Sequence, residues 1–209
     1  MRLLITACLI LFCLTNCSSI KVQTKMPYQS REFHSSNLKT GGMALLPTTN
    51  KEYDSAVQQN AEHYLHPYFG REYLRPRLVG QLLNETNTLS IYRDAIETYK
   101  RTGITDRKKF RQIGAALQVR YLLKIDPGMI TTQQETESST SFYDDDIDIN
   151  TTETRKNTTS AIIIDCNSGE VVWEGITKAT AGEGDLFNRH ADLEIIGKNV
   201  SALMEQLFF

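Results

Sequence analysis

One β-hairpin near the end of the chain constrains the fold more than any other feature of the sequence. The stretch from Ser160 to Thr180, SAIIIDCNSGEVVWEGITKAT, places an Ile-rich run before Asn167-Ser168-Gly169 and a second run, containing Trp173, after it. Short β-branched runs on either side of a Gly-containing turn are typical of two antiparallel strands. The stretch therefore predicts a hairpin with Trp173 in the core.

Further strands are predicted upstream of this hairpin. The run GGMALLPT, from Gly41 to Thr48, is short, apolar and bounded by Gly and Pro, as buried strands are. Residues 119–125, VRYLLKI, carry large apolar side chains at alternate positions, which is the period of a strand. The run LRPRLVGQLL at 74–83 is interpreted as a short additional strand.

Two long helices are predicted from apolar residues at helical spacing. The first begins near Tyr53 and is expected to end or bend near His66, because Pro67 lacks a backbone N–H. The second is the last helix of the chain. Their apolar stripes consist of Tyr53, Val57, Ala61, Tyr64 and Tyr68 in the first, and of Leu193, Ile196, Val200, Leu203 and Leu207 in the last.

Two more helices lie between them. LSIYRDAIETYKRTG at 89–103 ends at Gly103, and RKKFRQIGAAL at 107–117 has Asp106 as its N-cap. Strands thus alternate with helices, and the chain closes with a hairpin and a helix. This order predicts an α/β (α+β) fold, a mixed β-sheet flanked by helices with a C-terminal β-hairpin followed by a final helix.

The start of the chain has the pattern of an export signal. Arg2 precedes an uncharged apolar run at 3–14, which as a helix would span only about 18 Å, too short for a bilayer core of roughly 30 Å. Residues 1–16 are therefore predicted to be a signal peptide. The alternatives are an ordinary signal peptide cut near Cys17 and a leader that is not cleaved.

The four residues LTNC that follow resemble a bacterial lipobox, with Leu14 at its first position and Cys17 at its invariant one. Asn16 stands where Gly, Ala or Ser is usual. The resemblance implies that the Cys17 thiol carries a diacylglycerol, that the leader is cut before it, and that the new amino group is acylated, for example with palmitate. It also implies sorting to the outer membrane, because Ser18 replaces the Asp that favours the inner one.

Cysteine usage and charge agree with an exported, lipid-anchored domain. Cys8 and Cys13 lie in the leader, so Cys166 is the only thiol left for the folded part and no intramolecular disulfide can form. The net charge is −2, and no cluster of basic residues in the sequence indicates nucleic-acid binding.

Residues 17–39 are polar and are predicted to be the lipidated Cys and a flexible tether. An ordered arm packed on the domain is the alternative. Residues 40–209 are predicted to form a single periplasmic domain with a polar insert at about 131–159.

Several motifs of this domain resemble the TolB-amino-terminal-like or CsgG-like group of periplasmic lipoproteins. They are the MALLP strand, QIGAALQVRYLLKI at 112–125 and IIIDCNSGEVVWEG at 162–175, in that order. The resemblance covers roughly 41–209 and implies a mixed sheet with packed helices, often on a lipoprotein of the outer membrane. It also implies assembly work in the cell envelope, without selecting one pathway.

The candidate chemical groups have simpler explanations. His63 and His66 lie three apart on the first helix, away from its apolar stripe, and are expected to be solvated. The acidic run at 144–148 lacks the Gly and Glu of a calcium-binding loop, so we expect a solvated loop. Cys166 is predicted to be a small buried side chain. We therefore predict no catalytic residue, no cofactor, no metal and no enzyme activity. Whether the acidic run binds a cation or a basic partner stays open.

Two functions remain. The first is a lipid-anchored periplasmic accessory or assembly lipoprotein that contacts outer-membrane lipid through acylated Cys17 and binds another envelope protein, with homo-oligomerisation allowed. The alternative is a subunit of an oligomeric outer-membrane secretion pore of the curli-exporter type. The insert from Thr131 to Thr159 is the one segment long enough to line such a pore, but its Thr, Ser, Asp, Glu and Asn content disfavours a lipid-facing wall. We predict an exposed loop or an extended polar hairpin there.

Overall fold

A six-stranded mixed sheet forms the centre of the molecule. The computed structural model describes residues 20–69, 73–140, 147–182 and 191–209, with the side chains at 137–140 and 147–150 excepted. The predicted lipidation site Cys17 and most of the acidic run at 144–148 lie outside these residues. The strands are β1 (Lys21–Gln29), β2 (Met43–Leu45), β3 (Tyr121–Pro127), β4 (Thr131–Thr140), β5 (Ile147–Asp165) and β6 (Glu170–Ala181). Their order is β1-β6-β5-β3-β2, and β4 also pairs with β5.

Helices cover the two faces of this sheet. They are α1 (Ser35–Gly41), α2 (Asp54–Phe69), α3 (Pro76–Glu85), α4 (Leu89–Thr102), α5 (Arg107–Leu117) and α6 (Ala191–Phe208), with a short 3₁₀ turn at Lys51–Tyr53 before α2. Only β2 and β3 run parallel, and all other pairs are antiparallel. The predicted fold, a mixed sheet flanked by helices with a hairpin and a last helix at the C-terminus, is confirmed.

Each face of the sheet has its own apolar core. On one face, the buried side of α2 and α6 packs on Leu123, Ile163 and Trp173. On the other face, α3, α4 and α5 pack on Leu122 and Ile164. Alternate residues of a strand point to opposite faces, so each buried strand supplies side chains to both cores. None of the described helices is both long enough and apolar enough to cross a membrane.

The predicted hairpin and its Trp are confirmed. Asp165 of β5 pairs with Glu170 of β6 across the turn, and Gly169 in this turn has φ +73°, a conformation that favours glycine. Trp173 is only 2% exposed. A Cβ atom on Gly175 would come within 2.5 Å of the Trp173 ring, so a side chain at position 175 would displace the ring.

Two predicted helix boundaries are also confirmed. Asp106 caps α5, because its carboxylate accepts a hydrogen bond from the Lys109 N–H at 3.1 Å. Gly103 ends α4 in the left-handed conformation and donates its N–H to the Tyr99 carbonyl at 2.7 Å.

The predicted flexible tether is wrong for residues 20–39. Lys21–Gln29 forms the edge strand β1 on β6, and Phe33 and the α1 residue Leu38 are buried in the core. An edge strand with both faces largely exposed can be polar throughout, so its composition is similar to that of a linker. The folded domain therefore begins before the predicted residue 40, as in the ordered-arm alternative.

One local prediction is wrong as well, and so is one of the two effects expected of Pro67, the end of its helix near His66. Residues 76–85 form helix α3 and not a strand, with Pro76 in its first turn, where a missing backbone N–H costs nothing. Of that predicted strand, Leu74 alone makes a β-bridge, to Ala44. Helix α2 does not end at His66 but continues through Pro67 to Phe69, which is buried. Pro67 and His63, the two residues that this helical hydrogen bond would join, are both exposed.

Candidate interaction arm and charged cleft

The polar insert forms a long hairpin. All ten residues of β4 pair with β5 in an antiparallel register that runs from Thr131 opposite Lys156 to Thr140 opposite Ile147. The hairpin alternative for this segment is confirmed, and the loop alternative is wrong for the described residues. Thr is favoured in strands, which explains how a segment without an apolar face still forms a ladder.

This hairpin extends past the rest of the sheet. The last residue of β6, Ala181, pairs with Arg155, so β5 residues before Arg155 pair only with β4 among the described strands. We define the arm as residues 131–140 and 147–154. Its eight residue pairs run from Gln133 opposite Thr154 to Thr140 opposite Ile147, and at about 3.4 Å per residue they span roughly 27 Å. Residues 131–136 and 151–152 are exposed. Each strand thus presents an outer edge of backbone N–H and C=O groups, which can pair with an added strand.

A buried polar network fixes the base of the arm. The Asn157 side chain donates to the Gly128 carbonyl at 2.7 Å and accepts from the Thr159 hydroxyl at 2.8 Å. The Asn199 side-chain amide, from α6, donates to the Asn157 side-chain oxygen at 2.9 Å. Asn157, Thr159 and Asn199 are buried. The network therefore joins β5, the bend between β3 and β4, and α6 at the point where the arm leaves the sheet.

An ion pair at the same end adds a second attachment. Arg155 donates from Nη1 to Asp192 in the first turn of α6 at 2.9 Å, and from Nε to Glu153 at 3.3 Å. The hydrogen bond to Asp192 is the largest cause that raises the pKa of Arg155, and Glu153 acts in the same direction. All three side chains are partly exposed, so these two ion pairs add little to the stability of the fold. They hold the arm in a defined direction relative to α6.

A cleft of about 520 Å³ lies between α4 and strands β3 and β5. Ile96, Tyr99 and Ile162 form apolar walls, and Lys100 lies at the opening with Asp126 behind it. Deeper in the cleft, Lys124 is buried and donates to Asp126 at 2.5 Å and to the Pro47 carbonyl at 2.8 Å.

The charges in this cleft neutralise one another. Burial lowers the pKa of Lys124, and the Asp126 carboxylate offsets part of that effect. Burial alone would raise the pKa of Asp126, but the charge of Lys124 and hydrogen bonds from Lys124 and Thr49 outweigh it and hold the pKa below its ordinary value. Asp126 also lies 3.3 Å from Lys100. Because the carboxylate already accepts hydrogen bonds from Thr49 and Lys124 and forms an ion pair with Lys100, the cluster attaches the loop after β2 to the sheet and offers no free acid or base.

The residues singled out in the sequence lie apart from this cleft. His63 and His66 are exposed on α2, as predicted. In the described part of the chain, no three His, Cys, Asp or Glu side chains converge as metal ligands do. Cys166 is buried, as predicted, and burial together with the Asp165 charge raises the pKa of its thiol to about 12. A thiol with that pKa is a poor nucleophile at neutral pH.

Sequence reasoning did not identify the charged cleft. Lys124 belongs to the predicted strand VRYLLKI, and Asp126 is the residue directly after it. The two are two positions apart, so they share one face of β3. Two opposite charges at this spacing within an apolar strand are a detectable pattern. Their partners Thr49 and Lys100 come from distant parts of the chain and are brought together only by the fold.

Comparisons with known proteins give fold likenesses at low identity. No known protein family matches the sequence, and no curated protein matches it either. Among solved structures, a PelC dodecamer from Paraburkholderia phytofirmans is 10% identical with a TM-score of 0.44, over 90% of this chain and 99% of that one. Lipoprotein GNA1162 from Neisseria meningitidis is 14% identical with a TM-score of 0.38, over 79% and 96%. The hypothetical protein CT253 from Chlamydia trachomatis is 9% identical with a TM-score of 0.39, over 80% and 92%. We assign the chain to no family on likenesses of this size.

Proposed function

We propose that this chain is a lipid-anchored accessory lipoprotein of the bacterial outer membrane, which binds another envelope protein through its arm and performs no catalysis. The observation that carries the proposal is the arm itself. Eight residue pairs of polar hairpin extend past the sheet, and the described exposed side chains of the hairpin add little to the core. A chain gains little stability from ordering such a segment, so a role in recognition explains it better than a role in packing.

The edges of the arm suggest how a partner binds. An extended segment of the partner would add to β4 or to the tip-side half of β5 by main-chain hydrogen bonds. Side chains next to that edge, such as Gln134 and Thr136, would then select the partner's sequence. The same edges would also pair two copies of this chain, which makes a homo-oligomer the second expected assembly.

The proposed lipid anchor is compatible with this way of binding a partner. Lipidation at Cys17 would hold the domain at a membrane surface, and the arm base and the start of β1 lie at the same end of the sheet, since Lys21 and Lys156 both lie opposite Thr180. The arm would therefore project near the anchored end of the domain, where membrane-bound partners are reachable.

In-cell photo-crosslinking tests the proposal. A photoreactive residue replaces Gln134 on the arm, and in the matched control it replaces Ile104, which is 69% exposed between α4 and α5. We expect the arm position to give a defined adduct with one envelope protein, or with a second copy of this chain, and the Ile104 position to give none. Identical adducts from both positions, or none from the arm, would contradict the proposed role.

A secretion-pore subunit is the second candidate, and one observation favours it. The ten-residue length of β4 matches what a membrane-crossing strand requires. The described side chains of the arm are polar on both of its faces, whereas a lipid-facing strand has an apolar face. Purified oligomers that conduct ions across planar bilayers would support the pore, and we expect no conductance.

A further inference from the structure

No helix of the described part of the chain covers the face of the sheet opposite α6 where β1, β6 and the first half of β5 meet; we call this the bare area. Thr177, Ala179 and Ala181 of β6 are buried on the α6 side. The residues between them point to the other side, where Lys178 is exposed and Thr180 is half-buried. This bare area adjoins the charged cleft but is not covered by α4.

Four lysines project from this bare area. Lys21 of β1 and Lys156 of β5 lie on either side of Thr180, so their Cα atoms are about 10 Å apart. Lys178 lies two residues before Thr180 in β6, opposite Gln23 of β1. Lys25 lies four residues after Lys21 in β1, on the same side of the sheet. Sequence analysis found no basic cluster because these lysines come from three separate segments. We define the lysine face as Lys21, Lys25, Lys156 and Lys178.

The lysine face carries uncompensated positive charge. None of its four amines forms an ion pair with a carboxylate in the described ranges. The Lys156 amine donates to the uncharged Gln133 side chain at 2.5 Å. Glu174, the acidic residue of β6 on this side, lies at the far border, opposite Tyr28. Charges of one sign at this spacing repel one another, and an anionic surface relieves the repulsion.

The position of the anchor indicates which anionic surface is in reach. This step rests on the proposed lipidation of Cys17. Four residue steps separate Cys17 from Lys21, and a fully extended chain covers that interval in about 14 Å at most. That distance is close to the Debye length of about 10 Å at 0.1 M salt, so lipid charges next to the anchor act on the lysine face.

We propose that the lysine face docks on anionic lipid headgroups of the membrane that holds the anchor. Docking fixes the orientation of the domain, which the acyl chains alone would leave free to rotate. With the bare face of the sheet on the headgroups, α2 and α6 on the opposite face point away from the membrane. The arm then leaves the sheet alongside the headgroups, available to a partner in the same membrane.

Reconstitution of the full lipidated protein tests this orientation. Gln23 lies between Lys21 and Lys25 on the lysine face and is exposed, so a Gln23→Cys variant carries a fluorescent label there, while buried Cys166 stays unlabelled. Vesicles contain phosphatidylcholine alone or with phosphatidylglycerol, and a nitroxide on a headgroup quenches the label by contact. We expect strong quenching in the anionic vesicles at about 0.1 M salt, loss of it at about 1 M, and weak quenching in neutral vesicles.

Charge-reversal variants give the matched comparison. Lys25→Glu with Lys178→Glu should lower the ratio of docked to free orientation by more than about tenfold, because each basic residue at an anionic surface contributes roughly fivefold. Lys51→Glu with Lys108→Glu makes the same change of net charge at exposed positions elsewhere and should leave quenching unchanged.

The possible failures are distinguishable. Equal quenching in neutral and anionic vesicles, or equal loss in both double variants, overturns the docking proposal while the anchor stands. Binding of an acidic protein to the lysine face without quenching by anionic vesicles overturns it as well. A purified protein whose mass shows no lipid at Cys17 overturns the anchor and this proposal together.

Discussion

Asn157 and Asn199 join the base of the arm to the last helix inside the core. The Asn199 amide nitrogen lies 2.9 Å from the Asn157 side-chain oxygen, and the two residues are 1% and 0% exposed. Both partners of this contact are polar side chains, and it lies where the arm leaves the sheet. Buried polar pairs of this kind are costly when one partner is removed.

Asn157→Ala should therefore lower the free energy of unfolding by about 2–4 kcal/mol, because it removes the side-chain partner of the Thr159 hydroxyl and of the Gly128 carbonyl and leaves the Asn199 amide only its bond to the Asn157 backbone carbonyl. Urea denaturation measures the loss. Thr158→Ala, at the exposed neighbouring position, should change stability by less than about 0.5 kcal/mol. Equal stability of both variants would show that the network contributes nothing.

Trp173→Ala should cost about 3–5 kcal/mol, because a large buried side chain is removed and a cavity remains beside Leu203. Circular dichroism during chemical denaturation gives the value, since the chain has no second Trp to report by fluorescence. Lys178→Ala on the same strand is the surface control. A loss under about 1 kcal/mol for Trp173→Ala would mean that the ring is not packed in solution.

Shortening the arm should leave the domain folded. Replacing residues 134–153 with Asn-Gly joins the paired residues Gln133 and Thr154 through a two-residue turn and keeps Arg155 and Asn157 in place. We expect the melting temperature to change by less than about 3 °C, since the described side chains among the deleted residues, at 134–136 and 151–153, are exposed or half-buried. Limited proteolysis of the full chain should cut within the arm first. A much larger drop in melting temperature would mean that the arm packs on the domain.

Stability should fall in alkali partly through Cys166. Burial raises the pKa of this thiol to about 12, so the folded state favours the neutral form. Its contribution is complete below the ordinary thiol pKa of about 8.5 and is lost as pH rises through 12. Burial and the Glu62 charge also raise the pKa of Tyr73 to about 12, which adds to the slope.

Cys166→Ala should make the free energy of unfolding fall less steeply with pH between roughly pH 9 and 12. The difference in slope is up to about 1.4 kcal/mol per pH unit, which corresponds to one proton released on unfolding. Urea denaturation at several pH values within this interval measures it, and the Tyr73 contribution should persist in the variant. Parallel curves for the two proteins would show that Cys166 ionises as easily when folded as when unfolded.

The strongly periodic elements could be predicted from the sequence because each buries one clear apolar face. The closing hairpin around Trp173, helix α6 and the capped helix after Asp106 all follow this rule. Helix α3 was mistaken for a strand because its apolar run is short, although Pro76 at the start of such a run is typical of a helix N-terminus.

Edge and protruding strands could not be predicted in the same way. Eight of the nine β1 residues, all except Val22, are exposed, and so are the described β4 side chains at 131–136, so neither strand has the period-two apolar pattern. The next strand, β5, holds β4 in place, whereas β1 is held by β6, which lies far along the chain. For the same reason the lysine face and the Lys124–Asp126 cluster emerge only when distant segments come together in the fold.

The lipid anchor is the central claim of this account, and the mass of one peptide tests it most directly. Trypsin cleaves after Lys21, so the mature N-terminal peptide from membranes should comprise residues 17–21 and carry a diacylglycerol thioether and an amide-linked acyl chain on Cys17. The Cys17→Ala variant should yield no lipid-modified peptide. An unmodified peptide that begins at Cys17, or one that still contains leader residues, would contradict the account.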